Sequence, residues 1–172
     1  PAAPFPLLVD NPRDLVGGLG AGRLDFVLVE GFFDRSRYDA QLWRRESFFG
    51  VCSPDHRLAG RLVTLEELEG ERLILRESGS GTRAIFEDAL RRQNRTLRGF
   101  SSVATISDFV TIKSLVMDGL GVSFLYAPVV QRELEQGTLA RFDLADAPMQ
   151  GAFYFVCLKN NLFAGTWADW MR

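Results

Sequence analysis

Short apolar runs alternate with amphipathic segments along the whole chain. Successive positions are apolar at residues 5–9, 26–29, 48–52, 73–75, 122–125 and 152–158, as is typical of strands covered on both faces. Amphipathic patterns predict helices at residues 12–21, 82–92, 107–118 and 126–136, a short helix from Thr64 and a last turn or two at 166–171. The alternation predicts an α/β fold with a mostly parallel sheet, whose ligands lie where strand carboxyl ends meet helix N-termini.

Composition narrows the function classes. The chain has 172 residues, 47% of them apolar and 24% charged, and its 20 basic and 22 acidic residues leave a net charge of -2. Such a balance provides no global field for nucleic acid or for an anionic membrane. The sequence also lacks the stretch of about 18 apolar residues that a membrane span requires. We therefore expect an ordinary globular domain, and any nucleic-acid role must lie in residues that are not present here.

Cysteine and histidine usage argues against redox and metal chemistry. Cys52 and Cys157 each lie inside an apolar run, so we expect two reduced core thiols. His56 is the single histidine, which excludes a histidine-rich metal cage. No metal and no cofactor are predicted.

The segment 76–83, RESGSGTR, lies between a predicted strand and a predicted helix. Its glycines allow a tight turn, and the amides of the first helical turn point outward together with the Ser80 and Thr82 hydroxyls. An oxyanion or a carboxylate fits such a cradle, although a plain strand-to-helix turn with Ser80 as N-cap has the same pattern. Arg83 opposes the helix dipole unless it meets an anion, which could be a ligand, Glu77 or Glu87.

Three other strand ends carry polar residues. Thr105 and Asp108 have the spacing of a capping box at the start of the predicted helix 107–118. Glu30 and Gly31 follow the strand 26–29, and Asn11 precedes the first helix as its expected N-cap. Glu30 could serve as an acid, a base or a ligand contact, or could be a solvated loop acid.

Four segments, in chain order, resemble the effector-binding domain of LysR-type transcriptional regulators, a version of the type 2 periplasmic-binding-protein fold. Residues 22–28 (GRLDFVL) resemble its G-x-L-D-hydrophobic strand, 52–59 (CSPDHRLA) its P-x-H-P-L-A turn, 76–83 its R-E-x-G-S-G-T-R loop, and 116–122 (VMDGLGV) its V-x-x-G-x-G-hydrophobic motif. The chain departs from the pattern at Arg57, where the turn usually has Pro, and at Pro128, which lies later than the customary Pro after the strand 122–125.

The resemblance implies two Rossmann-like lobes joined by two crossover segments. Lobe I would comprise residues 1–53 together with 153–172, and lobe II residues 54–152. It further implies that one strand-helix unit, roughly thirty residues, is missing ahead of residue 5, and that the DNA-binding winged helix-turn-helix is absent from this chain.

By the same resemblance the effector lies in the cleft between the lobes. The matching positions in lobe I are Asn11, Glu30 and Gly31. The matching positions in lobe II are Ser78, Gly79, Ser80, Gly81, Thr82, Arg83, Thr105, Ile106 and Ser107.

The expected function is ligand sensing without covalent chemistry. A small, anionic effector would bind the interlobe cleft and change the geometry of a homodimer or homotetramer in a cytoplasmic bacterial regulator, which contacts promoter DNA only through the absent N-terminal domain. Two alternatives stay open. A solute-binding transport protein shares the fold but should carry a secretory signal, and an enzyme acting on a carboxylate would need Glu30 as its catalytic acid.

Overall fold

A computed structural model describes residues 7–30, 33–159 and 161. Five α-helices are present in this part of the chain: α1 (Pro12–Gly20), α2 (Leu65–Glu69), α3 (Gly81–Arg92), α4 (Phe109–Met117) and α5 (Ala127–Glu135). The strands are β1 (Phe26–Glu30), β2 (Tyr38–Cys52), β3 (Leu62–Val63), β4 (Arg72–Leu75), β5 (Ser102–Thr105), β6 (Ser123–Tyr126), β7 (Ala140–Leu144) and β8 (Gln150–Leu158). The predicted helix at 166–171 lies outside the described residues.

Strand β2 organises the larger sheet because it pairs with three other strands. Its first ten residues run antiparallel to β8, from Tyr38 opposite Leu158 to Ser47 opposite Gln150, and β8 in turn pairs with β1. The end of β2 pairs antiparallel with β6 and β7. The long strands β2 and β8 therefore lie side by side over the first ten residues of β2.

A smaller sheet holds the start of α3. Strands β4 and β5 pair in parallel, and a parallel bridge from Leu73 to Val122 joins β4 to the chain just before β6. The carboxyl end of β4 leads into the loop 76–80 and then into α3. The β4–α3 connection thus has the strand-turn-helix geometry predicted for an anion cradle.

The prediction of a mostly parallel sheet is wrong. Strand β2 pairs antiparallel with β6, β7 and β8, as does β1 with β8, while the parallel pairs are β3 with β7 and β4 with β5. Runs of apolar residues report burial on both faces and carry no information on strand direction. The direction is decided by β2 and β8, which cross between the two parts of the molecule.

Two strand boundaries also differ from prediction. The expected strand 48–52 is the last third of β2, whose residues 39–47 are intermediate or exposed and are held by hydrogen bonds to β8. Residues 7–9 of the expected strand 5–9 are irregular, with Leu7 80% and Val9 84% exposed. The backbone groups of an apolar run form strand hydrogen bonds only where another strand lies beside it. The hydrophobic pattern alone therefore did not place these two boundaries.

Helix caps agree more closely with the sequence. Asn11 is the N-cap of α1, where its side chain accepts from the Asp14 amide at 3.0 Å. Thr64 and Glu67 form the predicted capping box of α2. Cys52 and Cys157 are buried free thiols, which confirms the expectation of reduced core residues.

Three hydrophobic clusters hold these elements. One cluster joins α1 to β1, β2 and β8 through Leu19, Val29 and Val156. The other two lie around α3, α4 and α5, where Phe86 stacks on Phe124 at 4.2 Å between ring centroids. Within the ranges given above, no helix is both long enough and apolar enough to cross a membrane.

Candidate functional site

A cleft of about 390 Å³ opens between α1 and the β4–α3 loop. Its walls combine two arginines, two acidic residues, two glycines of the 76–83 loop and a largely apolar remainder: Pro12, Arg13, Val16, Glu30, Phe33, Asp34, Arg37, Tyr38, Gly79 and Gly81. The cleft is therefore formed by residues far apart in sequence.

Arg13 spans this cleft at its rim. Its guanidinium donates to the Ser78 hydroxyl at 3.2 Å, and its Cζ lies 3.2 Å from where a Cβ on Gly79 would be. Gly79 has a φ of +100°, a conformation that favours glycine. A side chain at position 79 would push Arg13 away, so the glycine serves both the turn and the contact.

The start of α3 has no side-chain cap. Ser80 takes the N-cap position, but its hydroxyl bonds to the Thr82 hydroxyl at 2.7 Å instead of to a backbone amide. Both residues are 2% exposed, so this pair is part of the packed base of the loop. The N-cap residue of α3 therefore leaves the first-turn amides without a cap of its own, and the Thr82 amide faces the Glu30 carboxyl group instead.

Glu30 lies against this uncapped helix start. A Cβ added to Gly81 would overlap Cγ of Glu30 and would lie 2.7 Å from its Oε1, so only glycine leaves room for the carboxyl group. Burial raises the pKa of Glu30, while the Tyr126 hydroxyl, the Arg76 charge and the Thr82 amide oppose that rise. Burial dominates, and the carboxyl group is easier to protonate than an ordinary glutamate.

The cations of the 76–83 loop are neutralised within the chain. Arg76 pairs with Glu77 through two hydrogen bonds of 2.8 and 3.0 Å, and Arg83 donates from Nε to Glu87 at 2.7 Å. Of the partners considered for Arg83, the anion it meets here is thus Glu87. Arg83 also reaches the Thr105 hydroxyl at 3.4 Å, which ties the loop to the end of β5.

The second predicted helix N-terminus has a different structure. The helix α4 begins at Phe109, and its N-cap is Asp108, whose carboxylate accepts from the Thr111 amide at 2.7 Å. The predicted capping box with Thr105 as N-cap is therefore wrong, because Thr105 is still the last residue of β5. Thr105 and Ser107 are exposed, and Ile106 donates its amide to the Leu75 carbonyl at 2.9 Å.

The remaining candidates lie in different environments. Asn11 uses its side chain on Asp14, from which it accepts and to which it donates, and so caps α1. Gly31 lies outside the described residues. Among the described residues that line the cleft, the predicted set contributes Glu30, Gly79 and Gly81.

Pattern reasoning missed Arg13, Arg37 and Tyr38, which also line the cleft. Arg13 is an exposed residue of the first turn of α1, and its position one turn from a predicted strand-to-helix junction is the signal that could have found it. Arg37 and Tyr38 belong to a stretch with no periodic pattern, so their position depends on the long strand β2.

The single histidine and the acidic residues form no metal site. His56 pairs through Nε2 with Glu71 at 3.2 Å. No group of three or more histidine, cysteine, aspartate or glutamate side chains in the described part of the chain could hold a metal ion. Burial raises the pKa of Cys52 to about 11, so this thiol stays protonated near neutral pH.

Comparison with known proteins identifies the fold. The sequence model of the LysR substrate binding domain matches residues 1–171. The regulatory domain of CcmR from Synechocystis PCC6803, solved in complex with 2-PG, is similar with a TM-score of 0.76 and 21% identity over 94% of this chain and 78% of that one. The bromide-bound regulatory domain of HypT from Salmonella typhimurium has a TM-score of 0.69 and 20% identity over 95% of this chain and 78% of that one.

A curated relative agrees with this result. An HTH-type transcriptional regulator of Escherichia coli K12, YeiE, is 32% identical over 140 residues, which are 81% of this chain and 47% of the relative. The chain thus spans about half the length of this full-length regulator. Relatives that are named as transcriptional regulators confirm, for the family, the expectation of a domain that is not an enzyme. The chain therefore belongs to the LysR substrate binding domain family, the effector-binding domains of LysR-type transcriptional regulators, with the type 2 periplasmic-binding-protein fold.

Proposed function

We propose that the chain senses a small anionic effector for a bacterial LysR-type transcription factor and binds it in the cleft beside α3. The observation that carries the proposal is the start of α3, whose N-cap residue does not cap it and which lies in one wall of a cleft of about 390 Å³ that Arg13 and Arg37 also line. Helix N-terminal amides and guanidinium groups both favour negative charge. Relatives of the same fold bound to 2-PG and to bromide are compatible with this ligand class.

The effector would act by selecting one arrangement of two lobes. In this proposal residues 1–53 and 153–172 form one lobe and residues 54–152 the other. An anion held by Arg13 of the first and by the α3 amides of the second would favour the arrangement in which both reach it. The hydrogen bond from Arg13 to Ser78 at 3.2 Å supports a direct link between these two regions.

The regulatory output belongs to the same proposal. A shift between lobe arrangements would change the geometry of a homodimer or homotetramer in the cytoplasm, and promoter DNA would be bound by a separate N-terminal domain. The candidates Asn11, Thr105, Ile106 and Ser107 would contribute to the site only after such a rearrangement. A solute-binding transport function receives no support from relatives that are named as regulators.

Thermal unfolding with a panel of anions tests the proposal. An effector present at 100 times its Kd raises the free energy of unfolding by about 2.7 kcal/mol by mass action, and the melting temperature rises with it. Chloride at matched ionic strength serves as the baseline. If no anion in the panel raises the melting temperature above this baseline, the proposed function is wrong.

Matched variants locate the binding site. Arg13→Gln removes a cation from the cleft, and Arg45→Gln removes one from an exposed position of β2 that does not line it. We expect Arg13→Gln to need at least about tenfold more ligand than the wild type for the same rise in melting temperature. The double variant Ser80→Ala and Thr82→Ala should show the same loss. Equal responses in Arg13→Gln and Arg45→Gln would place the anion elsewhere.

A further inference from the structure

Glu30 is an unusual residue to find in a cleft for anions. It ends β1, lines the cleft, and packs on the first turn of α3, where the helix dipole attracts negative charge. Its Oε2 atom is buried and has no hydrogen-bond partner among the described residues. The proposed anion site therefore already contains a carboxyl group, and any anion that enters must lie near it.

Two glycines make room for this carboxyl group and its neighbour. Gly81 leaves the space that Glu30 fills, and Gly151 leaves the space that the ring of Tyr126 fills. The Tyr126 side chain is 4% exposed, and its hydroxyl also has no hydrogen-bond partner within the described ranges. Tyr126 and Glu30 interact, since each shifts the pKa of the other. The buried Tyr126 hydroxyl thus lies near the Glu30 carboxyl group, which itself lines the cleft.

The charged groups around Glu30 leave its carboxyl group without an ion pair. The charge of Arg76, in the β4–α3 loop, favours the ionised form of Glu30 electrostatically. The guanidinium of Arg76, however, is hydrogen-bonded to both carboxylate oxygens of Glu77. From β2, Glu46 acts on Tyr126 and adds negative charge to the same region. Across the cleft lie Arg13, Asp34 and Arg37, and Asp34 accepts from Ser36 at 2.9 and 2.6 Å.

We propose that Glu30 makes this cleft selective for anions that carry an O–H group, because such a ligand can donate a hydrogen bond to the carboxylate while its negative charge faces the α3 amides and Arg13. The inference rests on the proposed function. An anion without a proton would face a second carboxylate with nothing between the two charges, and it could bind only after Glu30 had taken up a proton. The raised pKa of Glu30 makes that uptake easier than for an ordinary glutamate, and the uptake becomes less favourable as pH rises.

Two pairs of probe anions test this selectivity. Phosphate carries an O–H group near neutral pH and sulfate does not. Glycolate carries a hydroxyl group where propionate has a methyl group of similar size. We expect the wild-type protein to bind at least one O–H member about tenfold more tightly than its partner, which corresponds to one charge-assisted hydrogen bond.

Glu30→Gln supplies the decisive comparison. The amide of glutamine both donates and accepts, so the preference within each pair should fall to about twofold or less. Glu135→Gln removes a carboxylate from the exposed face of α5 and should keep the preference. An unchanged preference in Glu30→Gln, or a wild-type preference for sulfate and propionate, would overturn the inference while leaving anion binding intact. Failure of every anion to bind would instead overturn the proposed function.

The wild-type protein alone gives a second test. Where Glu30 is ionised, binding of sulfate or propionate should require uptake of one proton, and the affinity should fall up to about tenfold for each pH unit. Glycolate affinity should change less over the same range. Calorimetric titration in two buffers of different ionisation enthalpy measures the proton directly. Propionate binding without proton uptake, and with no pH dependence, would contradict the role of Glu30.

Discussion

The starts of α3 and α4 each follow a β-strand but lie in different surroundings. At α4 the Asp108 carboxylate accepts from the Thr111 amide at 2.7 Å, so the helix start is capped by its own chain. At α3 the Ser80 hydroxyl bonds to Thr82 instead of to an amide, and Glu30 from β1 faces the first turn, including the Thr82 amide. A helix N-terminus is a ligand site only where the chain leaves its amides uncapped and a cavity lies in front of them.

The starts of α3 and α4 also differ in their exposure to solvent. The α3 start is buried, with Ser80 and Thr82 both 2% exposed, and it borders the cleft through Gly79 and Gly81. The α4 start follows exposed residues at 105 and 107. The two termini should therefore respond differently to substitution.

The largest effect is expected for Gly81→Ala. The new Cβ would overlap Glu30, and forcing this contact should lower the free energy of unfolding by about 1–3 kcal/mol. Urea unfolding measures the loss. Glu30→Ala combined with Gly81→Ala should recover part of it, because the overlapping side chain is gone.

Gly17→Ala is the matched control for this prediction. A Cβ at Gly17, in α1, meets nothing within 4 Å, so the substitution should stabilise the protein by about 0.5–1 kcal/mol. If Gly81→Ala is as stable as Gly17→Ala, Glu30 is not packed against the α3 start.

The next effect is a pH dependence that Glu30 causes. Its pKa is raised above the ordinary value of 4.5, so the folded state binds the proton more tightly than the unfolded state does. This contribution is fully present below the ordinary value and is lost as pH rises through the raised pKa. Urea unfolding at a series of pH values above 4.5 should therefore show Glu30→Gln gaining stability relative to wild type as pH rises. A constant difference would show that Glu30 ionises normally.

Asp108→Ala should cost less than Gly81→Ala. Loss of the cap on α4 lowers the free energy of unfolding at neutral pH, because the Thr111 amide loses its side-chain acceptor. Hydrogen bonds from Thr111 hold the pKa of Asp108 below its ordinary value of 3.8, so the stability it supplies is present above that value and lost as pH falls through the lowered pKa. Urea unfolding at neutral and acid pH checks both parts. A cost that is the same at both pH values would contradict the cap.

Thr105→Val should have the smallest effect. It removes the 3.4 Å contact from Arg83, which is long and exposed, and valine suits a strand, so we expect a change below about 0.5 kcal/mol. Urea unfolding measures it. A cost above about 1 kcal/mol would mean that Thr105 stabilises the α3 loop more than its geometry indicates.

Much of the fold could be read from local pattern. Helices α1, α3, α4 and α5 begin and end within two residues of prediction, because amphipathic spacing and caps such as Asn11 and Thr64 are encoded within a few neighbouring positions. The polar first part of β2 could not be found in this way. Its residues are held by pairing with β8, and hydrogen bonding between distant strands leaves no periodic hydrophobic signal.

The residues of the candidate site likewise include some that the sequence indicated and some that it did not. The loop 76–83 could be found because glycines and hydroxyl residues between a strand and a helix mark an anion cradle wherever they occur. Arg13 and Arg37 could not, since their approach to that loop depends on how α1 and β2 pack.

The sequence by itself determined where the helices lie, which loop is the candidate anion cradle before α3, and which family the chain resembles. Only the tertiary structure decided that β2 and β8 run antiparallel, that α4 caps itself while α3 does not, and that Glu30 fills the space left by Gly81. Local propensities act over a few residues, whereas the charge and protonation of a cleft depend on groups that folding brings together from distant parts of the chain.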